Sequence, residues 1–565
     1  AVAASSAQGY AIGIRGFNAT SSDKLEVLVD GRSVYTPLFS GVFWDVLDTY
    51  LPDIERIEVI RGPGAALWGA NAVNGVINIV TKPAGDTLGT RIDVAAGTQE
   101  RGYVAARSGS KIGEHSALRL YGLGRELDRS ERSNGDEAED GQRFTQFGFR
   151  SDSNWSADQL SLSGSFYDGT ARVATIAAVP TNAPLTGASL LGRWARSGFA
   201  GGQLALQMSY DHSDRRQPTV FAETRDTFDL DLQHDRPWGE RQHLTYGLGF
   251  RDSHDHTGTA PAYAIIFDPA RRRLHTYSAF IQDQIALTDA VALTLGSKFE
   301  HNDFTGFEVQ PNARLGWRLS PRWFTWASLA RAVRTPNRLD SDIGIYCPPP
   351  DGIPPACGPG VFRLGNPNLD SEKLHALDWG LRFGLGERAS IDLALFYNRY
   401  TDLKSTEKDN PFFGNFGNEL EATGYGAEVT ANWQALDTLR VQASYAALGL
   451  DVDAGSGSSD VTTAANWEGA DPRQRASLRA SWQPADAWSL DGFVRYVGHL
   501  DSYDVPAYTD LNLRAAWRPR PELEFALVGT DLLDDRHPEF GRNTATAFRS
   551  EVERAVRVTV GWEWR

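Results

Sequence analysis

No apolar run in this chain approaches the roughly 18 residues that a membrane-crossing helix requires, and its mean hydropathy is only -0.37. Helical membrane spans are excluded. Cations are in deficit as well, with 56 Lys and Arg against 72 Asp and Glu and a formal net charge of -16. Nucleic acid demands a basic face for its phosphates, so that partner is set aside and the excess acid is read as solvated loops. Cysteine is nearly missing: the two in 565 residues, Cys347 and Cys357, sit in the stretch CPPPDGIPPAC. A close, even pair in a loop fits a disulfide made in an oxidising compartment such as the periplasm or cell surface. Zinc would need further ligands, and this segment has no His or third Cys. Catalytic signatures are lacking too, with no Gly-x-Ser-x-Gly elbow, no HExxH and no phosphate loop. The chain is not read as an enzyme, and no cofactor is called for.

What is present in quantity is glycine and aromatic residues: 55 Gly, 16 Trp, 18 Tyr and 27 Phe. Many aromatics with low mean hydropathy suit surfaces that are apolar on alternate residues only. From about residue 87 the sequence becomes a series of such alternating segments, separated by turn residues. The clearest is Leu377, Trp379, Leu381, Phe383 and Leu385 with Asp378, Gly380, Arg382 and Gly384 between them. After the turn Gly386-Glu387-Arg388-Ala389 the phase returns at Ile391, Leu393, Leu395 and Tyr397, which predicts a hairpin. Val556, Val558, Val560, Trp562 and Trp564 repeat the pattern at the end. A soluble sandwich could produce any one of these segments. Repetition over the remaining length, at about 20 residues per strand and loop, fits roughly 20 to 24 strands of one closed membrane barrel.

Candidate outer loops are Asp128 to Arg143, Val173 to Leu191, Asp340 to Leu364, Lys404 to Glu419 and Asp451 to Arg473, all rich in Gly, Pro, Ser, Asn or charge. Their length contrasts with turns such as Thr288-Asp289-Ala290, and short turns mark the periplasmic side.

Before residue 87 the pattern differs. In PDIERIEVIRGPGAALWGANAVNGVINIVTK, which holds Asp53 to Lys82, two short strands flank a glycine-shaped corner. With Ile14-Arg15-Gly16-Phe17 and Val27-Leu28-Val29-Asp30-Gly31 upstream, this region closely resembles the plug domain of TonB-dependent outer-membrane receptors. The resemblance extends through Arg331-Ala332-Val333-Arg334-Thr335-Pro336, Leu364-Gly365-Asn366-Pro367-Asn368-Leu369 with Glu372, Gly424-Tyr425-Gly426-Ala427-Glu428, and Thr530-Asp531-Leu532-Leu533-Asp534-Asp535-Arg536. It implies an all-β transmembrane barrel, expected to have 22 antiparallel strands (residues 87–565), around a small N-terminal α+β plug (residues 1–86). It further implies that a signal sequence, a TonB-contacting box and the first part of the plug precede Ala1. Family barrels generally end on an aromatic residue; this chain has Trp564 and then Arg565.

The function implied is active uptake of a scarce ligand across the outer membrane of a Gram-negative bacterium. The partners would be a TonB-type protein of the inner membrane, outer-membrane lipid and lipopolysaccharide, and a ferric siderophore, with cobalamin as the alternative cargo. A passive porin or adhesin is the alternative class. Arg15 and Arg61 match positions where the family sets plug arginines against barrel glutamates, and Glu372 and Glu428 match those partners. The expectation is a plug-to-barrel lock, since charges inside a barrel tend to pair. The bland alternative is ordinary solvated lumen charge. Tyr35, Phe39, Phe43 and Trp44 are the candidate ligand-binding residues, on a loop that faces the outer vestibule in related plugs. Their alternative is packing against the barrel wall, which is preferred for Phe43 and Trp44. Arg271-Arg272-Arg273 are expected at the outer rim, facing an anionic ferric complex or, more commonly for such a cluster, lipopolysaccharide phosphate.

No complete metal-ligand set is read. The acidic loop Asp128 to Asp140 offers oxygens for Ca²⁺ but matches no defined calcium loop. His254 and His256 make an incomplete pair. No His lies between Arg331 and Leu369 or before His115, where haem receptors of this family carry axial ligands.

Overall fold

Alternation gives each strand one face for lipid and one for the lumen, and 22 antiparallel strands close on themselves. The computed structural model describes residues 2–64, 68–174, 179–347, 360–407, 414–541 and 549–564. Closure joins the first barrel strand, Gly89–Gly97, to the last, Ala555–Trp564, in register from Arg557↔Gly97 to Trp564↔Thr90. The barrel therefore has no open edge. The hairpin read from the sequence is formed by Glu372–Leu385 and Ala389–Glu407, and its phases are as expected. Leu377 and Trp379 face outward and Asp378 is buried in the lumen.

Turns of two to four residues, such as 386–388, 437–438 and 521–522, lie at the end of the barrel where the plug's connection enters. Their brevity marks that end as periplasmic. Tryptophan collects there: Trp155 and Trp238 end their strands, Trp323 and Trp488 begin theirs, and Trp562 lies two residues from the end of the last. All five are exposed on the outside. An amphipathic indole sits best at a lipid–water boundary, so this ring is the aromatic girdle of one interface.

At the opposite end the strands outrun the membrane. Asn415–Leu436 is 22 residues long, about twice the 9 to 11 that cross a bilayer. Of the segment Val173 to Leu191, expected as a loop, all described residues but Val179 belong to the strands Asp158–Ala174 and Pro180–Phe199. Lys404 to Glu419 is likewise strand in most of its described part. Beyond the lipid a strand needs no apolar face, so its sequence reads as loop while its backbone stays paired. Asp451 to Arg473 contains a helix, Val461–Glu468, and Asp340 to Leu364 begins with the helix Arg338–Asp342 and the strand Ile343–Cys347. The disulfide expected between Cys347 and Cys357 falls on Cys357, outside the described residues.

Inside the lumen a four-stranded sheet runs Arg32–Ser33, Leu25–Val29, Gly75–Thr81, Ile54–Arg61. Leu25–Val29 and Gly75–Thr81 are parallel; Ile54–Arg61 is antiparallel, with Arg61 opposite Gly75. The corner after Arg61 turns at Gly62, whose φ of +82 favours glycine. A Cβ there would stand 3.1 Å from Nη1 of Arg15, so the corner also leaves room for the arginine.

Candidate functional site

Ion pairs and apolar packing both hold the plug, with Phe17 and Val73 buried among Ala332, Leu374, Tyr400 and Leu403. Arg15 lies in the Ile14–Phe17 turn, where φ is positive at Arg15, Gly16 and Phe17, and its side chain reaches three adjacent barrel strands. It donates to Oδ1 of Asp378 at 2.6 Å and to Oε2 of Glu428 at 3.1 Å, and it lies 4.4 Å from the centre of the Phe396 ring. Arg61 donates to the same Oε2 of Glu428 at 3.1 Å. The two arginines differ in burial: the side chain of Arg15 is 3% exposed and that of Arg61 46%. Two guanidinium groups thus balance two carboxylates, one of which, Asp378, the sequence reading did not single out.

Glu372 has a different plug partner from the one expected. Oε2 accepts from Lys24 Nζ at 2.7 Å and Oε1 from Arg334 at 3.2 Å. Arg334 also meets Asp23 at 2.7 Å and Asp340 at 2.5 Å, and Lys404 meets Asp340 at 2.8 Å. Three cations and three carboxylates close this second cluster. Burial alone would raise the Asp23 carboxyl, but Arg334, Lys24 and Lys404 together hold it well below the usual carboxylate range.

Further contacts reverse the polarity, with the carboxylate on the plug and arginine on the wall. Asp53, 2% exposed, meets Arg107 at 3.0 Å and Arg119 at 3.1 Å. Asp45 takes both nitrogens of Arg215 at 2.8 and 2.9 Å. The sequence signal for these was parity: Arg107 and Arg119 occupy lumen-facing positions of otherwise lipid-alternating strands.

At the plug apex, Leu38 packs with Phe267 and Ile343 of the outer segments, and Phe39 and Phe43 lean on that cluster with their rings 5.0 Å apart, edge to face. The backbone N–H groups of Arg338 and Leu339 donate to the carbonyls of Pro37 and Leu38 at 3.0 and 2.8 Å. An outer helix therefore clasps the apex loop. Arg215 lies 3.9 Å from the centre of the Phe43 ring, tying that ring to the wall. Tyr35 donates to Ser40 Oγ at 2.7 Å and lines both cavities beside the apex, of about 200 and 350 Å³. Phe43 lines the first of these; Phe39 and Trp44 line neither.

Arg271, Arg272 and Arg273 open the strand Arg271–Ala286 at the outer end and divide by strand parity. Arg271 and Arg273 face outward, Arg273 pairing with Asp252 at 2.6 Å, while Arg272 turns inward to Asp342 at 2.7 Å. His254 and His256 are exposed on the outward face. In the acidic loop, Arg536 pairs with Glu131 and Arg129 with Glu137 and Glu139, while Asp140 accepts N–H groups from Ala7 and Ser130. Those carboxylates are already engaged.

Residues 2–76 match the TonB-dependent Receptor Plug Domain and residues 84–532 match "TonB dependent receptor-like, beta-barrel". A vitamin B12 transporter, BtuB, of Vibrio cholerae is 36% identical over 110 residues, 20% of this chain and 18% of that transporter's length. The iron-regulated outer membrane virulence protein of Vibrio cholerae is 22% identical over 513 residues, covering 81% of this chain and 72% of that protein. The siderophore receptor PirA of Acinetobacter baumannii has the same fold, with a TM-score of 0.80 over 100% of this chain and 94% of that one at 16% identity.

Proposed function

The chain belongs to the TonB-dependent receptors of the Gram-negative outer membrane, and from that membership we propose that it imports a ferric siderophore, with a TonB-type inner-membrane protein supplying the energy. The observation that carries the transport reading is the seating of the plug. Alongside the apolar contacts of Phe17, Leu38 and Tyr50, its contacts with the wall include paired charges at Arg15, Lys24, Asp45 and Asp53, which, unlike apolar groups, recover hydration when the plug moves into water. The chain has no nucleotide-binding motif, so a pull from outside the barrel is the energy source that fits.

The siderophore is favoured by similarity over most of the chain to an iron-regulated outer-membrane protein and by a fold shared with a siderophore receptor. Tyr35 is the apex residue best placed to meet a cargo, because it alone of the four candidate rings lines both cavities. Arg271, outward at the rim, suits lipopolysaccharide phosphate, whereas Arg273 is paired with Asp252 and Arg272 is engaged within. Cobalamin is the second reading, carried by the 36% identity to a vitamin B12 transporter.

Equilibrium binding to a panel of ferric siderophores and cobalamin, followed by tryptophan fluorescence of the purified protein, separates the two. Saturable binding of a ferric siderophore that weakens in Tyr35→Ala is expected. Binding of cobalamin alone would transfer the assignment to the second reading, and binding of neither would remove both.

A further inference from the structure

Away from the lock, three ligand-type side chains that the plug's ion pairs do not explain converge on the barrel wall. Asp531 directly follows the strand Leu523–Thr530, and His537 and Glu539 come from the outer segment beyond it. One ligand atom from each lies within 4.8 Å of the others. His537 is only 8% exposed, yet neither of its ring nitrogens has a hydrogen-bond partner among the described residues. Its Nε2 stands 3.5 Å from Oε1 of Glu539, and its ring centre lies 4.5 Å from that of Tyr508. The Tyr508 hydroxyl and Oδ1 of Asp510 are also buried without a hydrogen-bond partner among the described residues. A buried polar group in a native fold ordinarily has a partner. Here several lack one at the same spot.

Charge points the same way. Arg495 lies 3.2 Å from Asp510 and bonds Glu539 as well, and Asp531 stands beside Glu539. Three carboxylates against one guanidinium leave a local surplus of negative charge. The surroundings hold the carboxylates in place: the Asp531 N–H donates to Asn512 Oδ1 at 3.0 Å, and Asn512 Nδ2 donates to Asp510 Oδ2 at 3.1 Å.

We propose that Asp531, His537 and Glu539 bind one first-row divalent metal ion of the Zn²⁺ or Mn²⁺ type, with Asp510 Oδ1 as a neighbouring fourth oxygen. Imidazole with carboxylates is a ligand set for such ions, whereas Ca²⁺ and Mg²⁺ take oxygen alone. Ligands about 2.0–2.2 Å from one ion lie at most about 4.4 Å apart. In a tetrahedral site the spacing is roughly 3.3–3.6 Å, so from separations of up to 4.8 Å the three side chains close on a common centre by drawing in about an ångström.

The site also touches the plug. Oε2 of Glu539 accepts the N–H of Ala4 at 2.8 Å, and Arg495 donates to the Val2 carbonyl at 3.0 Å. A cavity of about 780 Å³ joins Ala4, Asp531 and Glu539 to Arg15, Arg61 and Glu428. Metal held by Glu539 would thus be felt at the first strand of the plug, whichever cargo the receptor carries.

The test strips the purified protein with EDTA, reloads it with Zn²⁺ or Mn²⁺ alone and measures binding by calorimetry. One equivalent of Zn²⁺ or Mn²⁺ is expected, with zinc-edge X-ray absorption reporting a single imidazole nitrogen among oxygens. His537→Ala should weaken binding by at least about 10- to 100-fold, the loss typical of even an outer-shell partner. Asp531→Asn, at the least buried of the three, should do the same and decides the matter if the histidine variant fails to assemble. Heat-modifiable migration on a gel identifies closed barrels. An absence of stoichiometric binding, or unchanged affinity in the assembled variants, overturns the assignment.

Discussion

Glu428 receives both Arg15 and Arg61, but the two contacts are unequal because burial is unequal. With its side chain 3% exposed, Arg15 is largely desolvated beside its two carboxylates. Arg15→Ala leaves Asp378 and Glu428 buried and short of a cation, a loss of about 3–5 kcal/mol. Arg61, 46% exposed, is screened by water, and Arg61→Ala should cost about 0.2–1 kcal/mol. The expected order is checked by sensitivity of cells to a large antibiotic such as vancomycin: marked for the Arg15 variant, slight for the Arg61 variant. Equal sensitivity would refute burial as the deciding factor. The resemblance pointed to Arg15, Arg61, Glu372 and Glu428, all of which lie at the plug–barrel contact. It did not reveal Asp378 or Lys24, because a lumen-facing carboxylate and a plug lysine look like solvated charge until the opposing element is in place. The group Asp531, His537 and Glu539 was illegible for the same reason, since Tyr508 and Asp510, which bury the histidine and crowd the carboxylates, lie on another strand.

At the scale of elements, the plug strand Leu25–Val29 carries a carboxyl where its neighbours are apolar. Glu26 is 6% exposed between Leu25 and Val27 and accepts a hydrogen bond from Ser33. Burial pushes its carboxyl up to about 7, and nearby Asp229 adds to the rise while Arg251 and Lys298 oppose it. A folded pKa above the unfolded value means that the folded plug binds more protons over this range, so its stability falls as pH rises from about 4.5 through about 7. The full span is on the order of 3 kcal/mol. Measured against the intrinsic base-catalysed rate, hydrogen-exchange protection of the Leu25–Val29 amides should fall between pH 5 and 8, and Glu26→Gln should flatten that trend. A parallel pH dependence in both proteins would assign the effect to other groups. Strands in the membrane were legible because lipid enforces a period of two, as Leu377 to Leu385 does. Beyond the lipid that constraint lapses, which is why the strands through Val173 to Leu191 read as loop.

For the whole molecule, the plug decides whether the barrel is a channel. The lumen of 22 strands would be wide enough for water without it, so the purified protein is expected to give little conductance in a planar bilayer. Removing residues 2–83 should open a steady, large conductance. High conductance of the intact chain would favour a passive pore. The seam between Gly89–Gly97 and Ala555–Trp564 bears on how this object is made and used. Its two sides are the first and last barrel strands of the chain, so the ring can be sealed only when every other strand is in hand, and the plug precedes all of them in sequence. A sealed ring has no lateral door. The closed wall leaves a moving plug only the barrel axis, and the short link at Ala84–Thr87 ties the plug to the periplasmic end of the first barrel strand.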